Sequence, residues 1–280
     1  MTGTPKITDI DALNRHRQRA ARDPVLFLHE EAAAEIEERL AEIKKSFIAP
    51  LLIGHVSSPI RSLFPEAPII PDDERLAVQP STHDIVLHSF ALHWSDDPIG
   101  QMVQSRLALQ PDGLFIAVLF GGATLSELRT ALAEAEARLS GGLSPRVLPM
   151  ADLRDLGGLI GRAGLALPVA DNLKLTVRYP SLARLVADLR GMGETNALQT
   201  RHKAIPPRAL FELTEQLYRQ HFSDADGYLK ATFEMAFLTG WAPSENQQKP
   251  LQPGSARQRL ADALGVDEQP TGDPVAPRTR

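Results

Sequence analysis

The runs DIVLHSF (Asp84 to Phe90) and LFIAVLF (Leu114 to Phe120) decide the reading of this chain. Each is apolar almost without interruption, the pattern of a strand in a parallel sheet covered on both faces. A helix is required between them. Asp97 as its cap and Pro98 at its first position start that helix, and QPDG (Gln110 to Gly113) turns the chain back into the second strand. The unit is a βαβ crossover.

Working outward toward the N-terminus, Ala33, Ile36, Leu40, Ile43 and Phe47 share one helical face, predicting an amphipathic helix from Ala33 to Phe47. APLLI (Ala49 to Ile53) reads as a buried strand, followed by Gly54 and a helix start at Ser57-Ser58-Pro59. Ala67 to Ile70 is a second short strand, ending in the acids Asp72, Asp73 and Glu74. Toward the C-terminus, Thr124 and Glu127 form a capping-box pattern ahead of the next helix. Further helices are predicted at Asp152 to Ala163, Ser181 to Gly191 and Pro207 to His221. Alternation in Asn172 to Tyr179 predicts an edge or antiparallel strand, and Thr232 to Trp241 a late strand.

Composition narrows the function. The chain has 280 residues, 43% hydrophobic and 23% charged, with no apolar run long enough to span a membrane. A net charge of −5 argues against a nucleic-acid binder and for a small-molecule or protein partner. With no cysteine, disulfides, thiolate nucleophiles and cysteine-ligated metals are excluded. No leader pattern is evident, so a cytoplasmic location is expected. Residues 1–22 read as a basic N-terminal segment, 23–256 as the main domain, and 257–280 as a short helix with a disordered tail.

The order of elements, with DIVLHSFALHWSDDP, LQPDGLFIAVLFGG and a late antiparallel strand, resembles the class I S-adenosylmethionine-dependent methyltransferases. ALHW, the N-terminal RHRQRAARDPVLFLHEEAA, the insertion DLRGMGETNAL and the segment FLTGWAPSENQQKPLQPGSA are similar to the branch holding malonyl-carrier-protein methyltransferases and mitochondrial complex I assembly factors, closer to the latter. The resemblance implies a Rossmann-like α/β fold: a mostly parallel seven-stranded sheet with a late antiparallel strand and inserted helices. It also implies a cofactor crevice at the carboxyl ends of the first strands. S-adenosylmethionine is the cofactor expected there, at Gly54, His55, Asp72 and Asp73, although Gly54 alone survives from the usual glycine set.

His88, His93 and Trp94 follow what the resemblance makes the fourth strand and are the catalytic candidates, an imidazole there being able to act as a base. Arg190, Glu194 and Asn196 gather polar groups where inserted elements cap the substrate side of this fold. His55, His83, His88 and His93 come from neighbouring strand ends, yet a metal among them would need carboxylate help, and none is expected. The basic run Arg15 to Arg19 reads as a solvated helix face or a contact for an acidic partner. The expectation is a methyltransferase-like enzyme acting on a protein side chain in assembly of respiratory complex I (NADH:quinone oxidoreductase), by methyl transfer or arginine hydroxylation. The alternatives are a non-catalytic assembly chaperone and a carrier-protein or small-molecule methyltransferase.

Overall fold

A computed structural model describes residues 6–247 and Gly265. The segment 257–280 therefore lies outside the described residues, Gly265 excepted. One compact unit comprises Met1–Ser244. Its sheet is built from β1 (Pro50–Gly54), β2 (Ile69–Ile70), β3 (His83–Ser89), β4 (Leu109–Phe120), β5 (Ala166–Tyr179) and β6 (Leu229–Trp241), in the order β2-β1-β3-β4-β6-β5. The first four run parallel, and β6 is antiparallel to both β4 and β5. This is the class I methyltransferase topology, with six strands among the described residues where seven were expected. Between β2 and β3 there is no strand, because the Gln104 side chain takes the Leu76 N–H and donates to the Glu74 carbonyl, holding that segment as a loop. The strand carrying His88 is thus the third in chain order.

Period-two alternation sends side chains to two cores. Ile85, Leu87, Ile116 and Val118 pack beneath α2 (Phe27–Glu42), α5 (Ser126–Ser140), α7 (Leu182–Met192) and α8 (Arg208–Phe222). Val86, Phe115, Ala117 and Leu119 pack on the other face against α4 (Pro98–Ala108) and α6 (Leu153–Arg162). Burial on both faces explains why the β3 and β4 runs are apolar throughout. Among the described residues β5 pairs only with β6, and from Asn172 onward it alternates half-buried with exposed positions, as an edge strand should.

Several boundaries differ from expectation for visible reasons. The α2 helix begins at Phe27 and ends at Glu42, short of Phe47, because the Asp84 carboxylate accepts from the Ile48 and Ala49 N–H groups and draws the chain out into β1. QPDG bulges within β4: His83 pairs with Leu109 but Ile85 with Leu114, and Asp112 adopts φ +62°. Thr124 and Glu127 form no capping box. Thr124 accepts from the Glu234 N–H, Glu127 accepts from the Thr232 N–H, and α5 starts from Leu125 at φ +53°. The basic N-terminal run folds as α1 (Ile10–Ala20), capped by Asp9, whose side chain accepts from the Ala12 N–H. A short α3 (Ser58–Leu63) follows β1.

Candidate functional site

At the carboxyl end of β1 the chain turns through Gly54 at φ +93°. A Cβ there would meet Ala91 Cβ at 2.6 Å and the Ser89 carbonyl oxygen at 2.7 Å, so glycine is required by the approach of the β3 end itself. The next residue ties the same two ends together. The His55 N–H donates to the Ser89 carbonyl (2.9 Å), and Ser89 Oγ donates to the His55 carbonyl (2.9 Å). The His55 ring lies 5.5 Å from that of His29 on α2, and burial, then the charge of Arg17, lowers its pKa. His29 is driven to about 4 by burial and has no hydrogen-bond partner at either ring nitrogen among the described residues.

Beyond β2, Asp72 turns inward and Asp73 outward to solvent. Asp72 faces Arg17 of α1, whose Nη1 donates to both carboxylate oxygens (3.1 and 3.3 Å) while Nη2 donates to the Phe90 carbonyl (3.0 Å). Gln101 of α4 bridges this corner to His88. Its Nε2 donates to the Asp72 carbonyl, so its Oε1 accepts from His88 Nε2 at 2.7 Å and His88 carries its proton on that nitrogen. Burial lowers His88 to about 4, leaving a neutral imidazole enclosed between β3 and α4.

His93 and Trp94 sit in a 3₁₀ turn, Leu92–Trp94, after β3. Both reach Glu194, just past the end of α7. Trp94 Nε1 donates to Glu194 Oε2 at 2.7 Å, and His93 Nε2 lies 3.1 Å from the same oxygen. Burial by itself would raise the Glu194 pKa; the His93 ring, Arg17 and the indole N–H outweigh it and bring the carboxyl down to about 2. Glu194 Oε1 has no hydrogen-bond partner among the described residues. The α7 exit that places it here depends on Gly193 at φ +79°, where a Cβ would meet Arg17 Cα at 3.2 Å. Glu194 therefore bonds to His93 and Trp94, the expected catalytic residues, while lining the same cavity as Arg190 and Asn196. Asn196 Nδ2 donates to the Pro145 carbonyl, its Oδ1 accepts from the Leu198 N–H, and Arg190 is exposed.

A cavity of about 720 Å³ opens beside this cluster, walled by α1, α5, α7 and α8. Trp94, Glu194, Arg190 and Asn196 line it together with apolar side chains such as Leu128 and Phe233; Gly54, His55, Asp72 and Asp73 do not. Arg17 and His29 were not singled out in the sequence. His29 carried a signal, since it precedes Ala33, Ile36 and Leu40 by helical spacing and so shares their buried face. Arg17 carried none beyond membership of a basic run.

No protein-family model matches the chain. It is 32% identical to the protein named arginine-hydroxylase NDUFAF5, mitochondrial, of Danio rerio over 262 residues, covering 84% of this chain and 81% of the relative. The Mus musculus protein of the same name is 33% identical over 280 residues, covering 89% and 81%. The chain belongs to the NDUFAF5 arginine-hydroxylase family. Like its relatives it is a methyltransferase-like enzyme by fold. A malonyl-[acyl-carrier protein] O-methyltransferase of Xylella fastidiosa is 33% identical over 180 residues, 64% of this chain and 59% of that protein. A solved structure of a putative methyltransferase from Bacillus halodurans gives a TM-score of 0.48 at 13% identity, covering 76% of this chain and 99% of the other. The names of the NDUFAF5 relatives place them in mitochondria, which overturns the expected cytoplasmic location. That expectation rested on nothing more than a missing leader pattern.

S-adenosylmethionine, the group this fold implies, does not fit these residues as they are arranged. Of the two acids expected to receive the ribose hydroxyls, Asp72 already has both oxygens on Arg17 and Asp73 faces solvent. The backbone of the first loop is turned onto Ser89, and the large cavity lies elsewhere. Among the described residues, no group of three His, Asp or Glu side chains is arranged to hold a metal ion.

Proposed function

We propose that this chain acts on an arginine side chain of a protein partner, a subunit of respiratory complex I, during assembly of that complex. The observation that carries the reading is the buried Glu194 anion, which lines a largely apolar cavity beside Trp94 and holds His93 on its far side. The aliphatic stem of an arginine suits such walls, and a buried carboxylate attracts its guanidinium. In this arrangement Glu194 orients the His93 ring and leaves Nδ1, which has no partner, as the nitrogen able to take a proton. Arg190, exposed where it lines the cavity, would meet the partner, while Asn196 shapes the wall through its bonds to Pro145 and Leu198. Kinship with proteins named arginine-hydroxylases supports the side chain, and the same kinship supports a complex I subunit as its bearer. Among the described residues no helix is long and apolar enough to cross a membrane.

S-adenosylmethionine remains the cofactor supported by the methyltransferase relatives, and Asp72 could receive it only after releasing Arg17. A second reading, a non-catalytic assembly factor, is favoured by that same Arg17–Asp72 pair. A strain lacking the gene separates them. Loss of assembled NADH:quinone oxidoreductase together with loss of an arginine modification on one of its subunits supports the enzyme. Loss of the complex with every arginine unaltered supports the second reading, and a normal complex removes both.

A further inference from the structure

One guanidinium is already bound beneath α1. Arg17 holds both oxygens of Asp72 and the Phe90 carbonyl, with the two side chains only 11% and 17% exposed. A forked donor set against a carboxylate and a carbonyl is recognition of guanidinium geometry as well as of charge. The surroundings hold a second buried carboxylate. Glu194 is 7% exposed at its side chain, close enough for its charge to act with that of Arg17, and keeps one oxygen without a partner. Arg17 Nε likewise has none. The neighbouring His29 and His88 rings are kept neutral by burial, so Arg17 is the cation that faces Asp72, while Glu194 is shared between Arg17 and the His93 ring. An unpartnered buried donor on Arg17 and an unpartnered buried acceptor on Glu194 leave this neighbourhood short of partners among the described residues.

The occupant is held by its helix more than by its own side chain. Asp9 pairs with Arg201 (2.8 Å), Thr8 Oγ1 donates to the Trp94 carbonyl (2.7 Å), and the Asp9 N–H donates to the Ala197 carbonyl (2.7 Å). These contacts fix the start of α1 and deliver Arg17 to Asp72 at the high local concentration of a tethered group. Arg15 and Arg19, its neighbours in the same run, are exposed.

We propose that Asp72 and the Phe90 carbonyl, with Glu194 behind them, form a guanidinium-binding seat, and that Arg17 fills it as a tethered stand-in for the arginine of the partner protein. The seat follows from the contacts of Arg17; that the visiting arginine belongs to a partner rests on the function proposed above.

The test is binding of agmatine, a free guanidinium with an aliphatic stem, measured by calorimetry on the purified full chain, with cadaverine as the ammonium control. Arg17→Ala should bind agmatine at least about tenfold more tightly than the wild type, because the tethered competitor is gone. The added Asp72→Asn change should abolish that gain, and cadaverine should not reproduce it. Equal agmatine affinity in wild type and Arg17→Ala overturns the proposal. So does an Arg17→Ala protein that binds S-adenosylmethionine but not agmatine, which would make Arg17 a plug in a cofactor crevice. If Arg17→Ala does not fold, Arg17→Lys keeps a cation without the fork; tighter agmatine binding than the wild type again supports the seat, and equal binding overturns it. Since binding is read without turnover, a strain with normal complex I would refute the function and leave this result standing.

Discussion

Trp94 and Glu194, one hundred residues apart, meet through a 2.7 Å hydrogen bond that fixes the carboxylate on which His93 also rests. The carboxyl is held at about 2, below its ordinary 4.5, so its contribution to stability is present above about pH 4.5 and is lost as pH falls toward 2. Glu194→Gln should cost on the order of 2–3 kcal/mol at neutral pH and flatten the acid limb of the stability curve. Denaturant midpoints from pH 7 to pH 3 measure this. Some acid dependence should persist, because Glu136, also near 2, keeps its bonds to Arg146 and Ser144. An unchanged curve would mean that Glu194 is not an anion in the folded protein.

Gly54→Ala introduces a methyl group where Ala91 Cβ and the Ser89 carbonyl already stand, at a left-handed backbone conformation. The expected loss is about 2–4 kcal/mol, read as a fall in the denaturant midpoint with the transition still cooperative. A near-neutral effect would show that the β1 and β3 ends are not packed as described.

His29 lies neutral and without hydrogen bonds between α2 and Phe90, its rings 4.4 Å apart from that phenyl group at the centroids. Its folded value near 4 lies below the ordinary 6.5, so the unfolded chain binds the proton more readily. Stability is full above about pH 6.5 and declines as pH falls toward 4. His29→Leu should remove part of that decline, on the order of 2–3 kcal/mol between pH 7 and pH 4, while His88 retains a similar dependence. Melting curves across this range decide it, and identical slopes in variant and wild type would contradict the buried neutral ring.

The elements most legible in the sequence are those whose pattern is local. The β3 and β4 runs are apolar because both faces are buried, β5 alternates because it is an edge, Asp97 with Pro98 caps its helix as read, and the helices read from Asp152 and Ser181 start there with those side chains as caps. The site was legible as a set of polar segments but not as a geometry. Nothing local distinguishes Glu194 from Thr195 or Asn196; the fold alone carries that carboxylate to His93. Nor does the run RHRQR disclose that Arg17 turns inward while Arg15 and Arg19 face solvent, since that depends on a glycine at position 193 letting α1 approach. Thr124 and Glu127 show the converse, a good local motif whose side chains are claimed by strand β6.

The central claim, action on a partner's arginine through the His93–Glu194 pair, is tested most directly by mass spectrometry of complex I subunits. The strain to use lacks the gene and is complemented with either the wild-type chain or His93→Gln. One subunit arginine should carry the mass of an added oxygen or methyl group with the wild type, lose it in the deletion strain, and fail to regain it with His93→Gln even though that variant is present and folded. Full modification of that arginine by His93→Gln, or arginines unaltered in every strain, would contradict the account.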